Sequence, residues 1–164
     1  MDEVRDARWL DADEQHAWRA VLQFCVDLME GLDADLRAHD LDGADYEVLV
    51  RLSEQPERRL RMSELAASAW VSKSRLTYRI DRLERQGIVR REKCESDKRG
   101  AFAVLTPEGF ALLERVAPHH VESARRRLLD RLSRDEFLEL GRLARAVVDA
   151  GGPVTAGPAA RPDA

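Results

Sequence analysis

Val71-Ser72-Lys73-Ser74-Arg75-Leu76-Thr77-Tyr78-Arg79-Ile80-Asp81-Arg82-Leu83-Glu84-Arg85-Gln86-Gly87 is the stretch that decides the fold. It reads as one helix of about four turns at 1.5 Å rise per residue. Ser72 is placed to cap it, because a serine hydroxyl accepts a backbone N–H that the first turn leaves unpaired. Gly87 is placed to end it, because glycine enters the left-handed conformation without steric cost. Leu76, Ile80 and Leu83 recur at i, i+4 and i+7 and make one buried stripe. At 100° per residue, Ser74, Tyr78, Arg82 and Arg85 lie opposite that stripe. Arg75 and Arg79 lie on one flank, and Lys73 and Thr77 near the first turn. The outward face is basic and hydrogen-bonding and carries one aromatic ring. Such a face suits a DNA major groove. An ordinary solvated basic face is the plain alternative.

The distribution of charge favours the nucleic-acid reading. The 164-residue chain has a formal net charge of −4, which argues against a uniformly basic binder. From Arg58 to Arg99, however, 13 Lys and Arg face 6 Asp and Glu, while the rest of the chain carries 14 against 25. A basic patch on an acidic body is the footprint of a phosphate-binding surface that does not stick indiscriminately. Hydrophobic residues at 44% and charged residues at 35% predict a core under a charged surface. No apolar run approaches the roughly 20 residues that span a bilayer. Met1-Asp2-Glu3 does not open a basic-then-apolar signal pattern, so the expected location is cytoplasmic, with no membrane partner. Cys25 and Cys94 make no disulfide framework.

Asp11 or Asp13 is positioned to cap a first helix running to about Ala38, striped by Trp18, Leu22, Cys25, Met29, Leu32 and Leu36. Cys25 falls in that stripe and reads as a small core residue. A second helix follows from about Ala44 to Glu54, with Tyr46, Leu49, Val50 and Leu52 mostly inward. A short third helix covers about Met62 to Ala69, and Trp70 and Val71 turn into the helix described first. Short helix, tight turn and longer basic helix make a helix-turn-helix. Beyond Gly87, strands over residues 88–93 and 101–105 flank a turn-rich loop, which predicts a β-hairpin wing. Thr106 caps the next helix, with Pro107 at its first position. That helix extends to about Leu132, with Phe110, Leu113, Ala117, Val121, Ala124 and Leu128 on one face and a kink expected at Pro118. Ser133 caps a last helix to about Ala150.

Asp45-Tyr46-Glu47-Val48-Leu49, Met62-Ser63-Glu64-Leu65-Ala66, Asp81-Arg82-Leu83-Glu84 and, above all, Asp97-Lys98-Arg99-Gly100 before Val104-Leu105-Thr106 carry a family resemblance. The block from Asp45 to Gly109 resembles the MarR-type (multiple-antibiotic-resistance regulator) winged-helix transcription factors. The match in element type and order covers all but the two tails. The fold class is therefore mainly α with a small β-hairpin wing: a winged helix-turn-helix flanked by terminal dimerisation helices. The expected organisation is an arm and dimerisation helix over 1–40, a DNA-binding domain over 41–106, dimerisation helices over 107–150 and a disordered Gly/Ala/Pro-rich tail over 151–164.

The resemblance implies a dimeric, sequence-specific transcriptional regulator, with repression the expected sense, acting on a pseudo-palindromic double-stranded operator. It implies a homodimer whose terminal helices entwine, with two lobes meeting successive major grooves. By the same resemblance Arg99 reaches the minor groove, with Lys98 beside it, and Asp97 orients the Arg99 guanidinium. Ser74, Arg75 and Tyr78 are the candidates for base edges. Ser72, Lys73, Thr77, Arg79 and Arg82 complete the DNA-binding set, the last four as phosphate contacts. Arg75 stands where a small residue is common in the family, and Tyr78 where arginine is common.

Control by a small aromatic or acidic ligand is a further implication, with Trp18 and Tyr46 the pocket candidates and core packing their other reading. The ligand must distinguish two lobe spacings to shift anything. A redox-sensing variant would use Cys94, placed by the sequence in an exposed wing near Lys93 and Lys98. A winged helix used for protein contacts is the remaining alternative. Catalysis is not expected. His119 and His120 are adjacent and cannot face one site on a helix, His16 and His39 stand apart, and no metal or phosphate-loop motif is present. No cofactor and no metal are expected.

Overall fold

The computed structural model describes residues 7–68, 73–94 and 100–151. α1 (Ala12–Arg37) begins at Asp11, whose carboxylate accepts the Glu14 N–H at 2.8 Å while Glu14 accepts the Asp11 N–H at 3.0 Å. This reciprocal pair satisfies two donors that a first turn leaves orphaned. α2 (Gly43–Ser53) begins in the same way, with Asp42 and Asp45 as the pair. After a 3-10 turn over Pro56–Arg58 come β1 (Arg59–Arg61), α3 (Met62–Ser68) and α4 (Lys73–Arg85). β2 (Val89–Lys93) and β3 (Ala101–Leu105) form the wing. α5 (Pro107–Arg127), a 3-10 turn over Leu129–Arg131 and α6 (Arg134–Gly151) complete the order. The chain is mainly helical with a small antiparallel sheet, as expected. No helix among the described residues is long and apolar enough to cross a membrane.

The sheet has three strands, in the order β1-β3-β2, where the sequence predicted two. β1 is Arg59-Leu60-Arg61, paired through Leu60 opposite Ala103. Three residues are too few to display a two-residue alternation, so the strand owes its existence to its partner. The turn before it holds Glu57 at φ 55° and Arg58 at φ 53°. Left-handed backbone costs an L-residue with a Cβ roughly 1–2 kcal/mol. The turn delivers the Arg58 guanidinium 3.4 Å above the Phe110 ring. Glu57→Gly is therefore expected to raise stability by about 0.5–1 kcal/mol, strain relief exceeding the entropy that glycine adds to the unfolded chain. A higher denaturant midpoint at unchanged slope would record it.

The core sits under the winged helix. Leu76, Ile80 and Leu83 of α4 are buried, as their spacing predicted, against Val48, Leu49, Leu52, Leu65, Val89 and Leu105. On α5 the buried positions are Gly109, Leu113, Val116 and Ser123, and Val121, expected inward, is 54% exposed. α5 runs continuously through Pro118 and breaks at Leu128, short of the expected Leu132.

The stripe of α1 is the largest departure. Leu36 is its only buried residue, and Trp18, Leu22 and Met29 are half exposed. Cys25, read as a core residue, is exposed. α6 has no buried residue, and Val147 is 73% exposed. The amphipathic pattern is present in both helices, but the described residues of one chain leave much of it uncovered.

A polar site joins α1 to α5. The Ser123 hydroxyl donates to Asp35 Oδ2 at 2.5 Å, and the Arg126 and Arg127 guanidiniums donate to the same oxygen at 3.1 Å. Gly31 makes room for this, since a Cβ there would lie 2.2 Å from Arg127 Nη1. The Ser123 and Arg127 hydrogen bonds hold the Asp35 carboxyl below its usual 3.8. A carboxyl depressed in the folded state stabilises the fold above its unfolded pKa. That contribution fades as pH falls through the unfolded and then the folded value. The α1–α5 joint should accordingly loosen below about pH 4. Asp35→Asn should flatten this part of an acid titration followed by tryptophan fluorescence.

Candidate nucleic-acid interface

α4 lies across the lobe with one face inward and one outward. Its end is fixed by the Ile88 N–H donating to Leu83 O at 2.9 Å and the Gly87 N–H donating to Glu84 O at 3.0 Å. This closure needs left-handed backbone at Gly87, whose φ is 74°. The outward face carries Ser74, Arg75, Thr77 and Tyr78, all exposed, with Tyr78 at 67%. These four lie where the helical wheel put them. Lys73 opens the helix. Ser72, Asp97, Lys98 and Arg99 lie outside the described residues.

Arg79 and Arg82 reach across to α2. Arg79 Nη1 lies 2.6 Å from both carboxylate oxygens of Asp42 and 3.0 Å from Asp45 Oδ1. Arg82 Nη2 pairs with Asp45 Oδ2. Asp45 is fully buried. Both guanidiniums are thus turned toward the N-terminus of α2. The helical wheel placed both arginines correctly but could not show a partner some 35 residues upstream. The available signal was the Asp-x-x-Asp pattern of a capping box at residues 42–45.

The other flank of α4 is tied to the wing. Arg91 of β2 donates from Nη1 to Glu84 Oε2 at 2.6 Å and from its backbone N–H to Glu84 Oε1 at 2.9 Å. Its Nη2 lies 2.5 Å from Asp81 Oδ1 and 3.3 Å from the Thr77 carbonyl. Sequence reasoning missed Arg91, which lay in a run taken only as charged strand. Thr106 locks the wing to α5. Its hydroxyl lies 2.7 Å from the Gly87 carbonyl, and its Oγ1 accepts the Gly109 N–H at 3.0 Å.

The remaining candidates scatter. Tyr46 is half buried against His120, with ring centroids 4.2 Å apart. Burial lowers the His120 pKa, with Glu47 opposing, and the same burial raises that of Tyr46. Trp18 is 54% exposed on α1, eighteen residues and about 27 Å of helix from Leu36, the end that α2 follows. The two do not form one pocket within the chain. Cys94, expected exposed in the wing, is buried, with the Arg61 guanidinium 3.4 Å from its Sγ. The loop composition suggested exposure, but Cys94 shares the sheet face on which Phe102 and Arg61 pack. A buried thiol is a poor target for oxidants. No group of His, Cys, Asp and Glu among the described residues has the geometry of a metal site.

The arrangement is a helix-turn-helix with a three-stranded wing and a polar outer helix face. The profile of the MarR family matches residues 43–100, which runs from α2 to the residue before β3. AbsC, a MarR family transcriptional regulator from Streptomyces coelicolor, is 45% identical, with a TM-score of 0.84 over 88% of this chain and 97% of that one. The chain belongs to the MarR family. Sco3205, a MarR family regulator of the same organism solved in complex with DNA, is also 45% identical, with a TM-score of 0.87 over 92% of this chain and 96% of that one. PecS, a helix-turn-helix transcriptional regulator of Dickeya dadantii, is 35% identical over 95 residues, 57% of each chain. The chain spans about half the length of the curated relatives it matches first. MarR-family proteins are DNA-binding transcriptional regulators and not enzymes, in agreement with the sequence reading against catalysis.

Proposed function

We propose that this MarR-family regulator acts as a homodimer on a pseudo-palindromic operator, reading the major groove with Ser74, Arg75 and Tyr78 of α4. The observation that carries this reading is the exposed polar face of α4, in a fold whose 45%-identical relative Sco3205 was solved with DNA. Residues 41–106 form the reading lobe, and residues 1–40 and 107–150 join two lobes. The uncovered apolar faces of α1 and α6 support that pairing, since surfaces of this kind are normally buried against a partner. Lys73 and Thr77 contact phosphates. Ser72, Asp97, Lys98 and Arg99 belong to the same DNA-binding set, with Arg99 assigned to the minor groove by the family resemblance. Occupancy of the operator represses transcription by excluding other proteins. A small aromatic or acidic ligand releases the protein by changing the spacing of the lobes. Tyr46 and His120 offer such a ligand an aromatic wall between α2 and α5.

Selection of duplexes from a random pool by the purified protein tests this proposal. Enrichment of a two-fold pattern with half-sites about one helical turn apart is the expected result. Arg75→Ala should cost about 1–3 kcal/mol on the enriched duplex and relax preference at one position in each half-site. A pool that returns no shared sequence would overturn the reading.

A further inference from the structure

Asp42, Asp45, Arg79 and Arg82 form a four-residue cluster at the junction of α2 and α4. Each carboxylate has two duties. Asp42 Oδ1 accepts the Asp45 N–H at 2.8 Å and Asp45 Oδ2 accepts the Asp42 N–H at 3.1 Å, which caps α2. The same two carboxylates receive the guanidiniums of Arg79 and Arg82. These arginines sit three residues apart, so they leave the same side of α4 one turn apart. Asp45 lies fully inside, whereas the side chains of Arg79 and Asp42 are 22% and 33% exposed. The cluster therefore begins in the core and ends at the rim of the outward face. It also extends to α1, because Asp33 Oδ1 accepts the Gly43 N–H at 2.7 Å.

We infer that Arg79 and Asp42 are positioning residues that set the angle at which α4 presents Ser74, Arg75 and Tyr78, and so govern sequence discrimination without touching DNA. This rests on the proposed DNA-reading role. Three physical points support it. First, α4 is thirteen residues long and is held at its end by the Gly87 closure, so a small tilt at Arg79 moves its first turn the most. Second, base-edge contacts are directional and lose strength steeply with misalignment, whereas phosphate attraction does not. Third, Arg79 is pinned by two carboxylates on its own lobe, so removing it takes little from the charge that the duplex meets.

The alternative role, a phosphate contact that Asp42 competes for, predicts the opposite sign for one variant. Asn caps a helix as well as Asp does, so Asp42→Asn keeps α2 while removing the charge. The test measures affinity for the duplex that the wild-type protein enriches and for a random duplex of equal length, across a salt series. Arg79→Gln and Asp42→Asn are each expected to lower affinity for the enriched duplex about tenfold, the scale of one lost base contact. The double variant should lose no more than either single one, because both break the same link. Affinity for random DNA and the salt slope should stay unchanged. A slope shallower by about 1.8 in Arg79→Gln, about 0.9 for each lobe of the dimer, or tighter binding by Asp42→Asn, would make Arg79 a phosphate contact and overturn the inference. Unchanged binding to both duplexes by both variants would overturn it too, leaving only a role in stability. If the wild-type protein enriches no duplex, the DNA-reading proposal itself fails, an outcome distinct from these.

Discussion

Gly109→Ala should unfold the junction of wing and α5 at a markedly lower temperature. A Cβ at residue 109 would lie 2.1 Å from the Ile88 carbonyl oxygen, 3.0 Å from its carbon and 2.8 Å from Leu105 Cδ1. The leucine tip can rotate away, but the carbonyl cannot. It accepts the Thr106 N–H at 3.1 Å, and the Ile88 N–H is committed to the end of α4. Relief therefore has to come from shifting α5 against α4, which strains the Thr106 latch on Gly87 and Gly109. Overpacking of this kind costs about 3 kcal/mol. Alanine returns up to about 1 kcal/mol of helix propensity, too little to offset it. The net loss of about 2 kcal/mol corresponds to roughly 4–8 °C in melting temperature for a chain of this size. Calorimetry on the two proteins decides it, and an unchanged midpoint would mean that the contact between α5 and residue 88 is looser than described.

Asp45→Ala should be the more damaging change. Asp45 is fully buried, and it serves the Asp42 N–H and both arginines. Removing one partner of a buried ion pair leaves the other charge uncompensated, at a cost of 3–5 kcal/mol in fully enclosed sites. Arg79 and Arg82 retain partial access to water, so the lower end, about 3 kcal/mol, is expected. Asp42→Asn makes the contrast. Its carboxylate is partly exposed and its cap survives, so it should cost about 1 kcal/mol or less. Urea titrations of both variants would show whether the burial of the carboxylate, rather than its charge alone, sets the penalty. Equal losses would contradict that ordering.

The sequence carried the interior of the winged helix well and its joints poorly. The stripe Leu76, Ile80 and Leu83 and the stop at Gly87 are local patterns, set by 3.6-residue periodicity and backbone freedom, and both were legible. So was the Thr106-Pro107 start of α5. β1 was not, since a three-residue strand is defined by its partner and not by its own pattern. The partners of Arg79, Arg82 and Arg91 were not legible either, because tertiary ion pairs join residues that no helical wheel relates. The stripe of α1 shows the converse. Its periodicity announced an apolar face correctly, but periodicity does not say what the face meets, and within one chain it meets little. For the candidate site, the outward positions of Ser74, Arg75, Thr77 and Tyr78 followed from the wheel. That Arg79 and Arg82 reach back to α2 required the fold.

The fastening on both flanks of α4 has a mechanical consequence. Asp42 and Asp45 grip one side of the rod, and Arg91 of the wing grips the other. The rod has no swivel of its own, and rotating it would break charged contacts at both edges together. These contacts join α2, α4 and the wing into one body. Under the release proposed above, a signal works as callipers do, by altering the gap between jaws whose reading helices keep their aim.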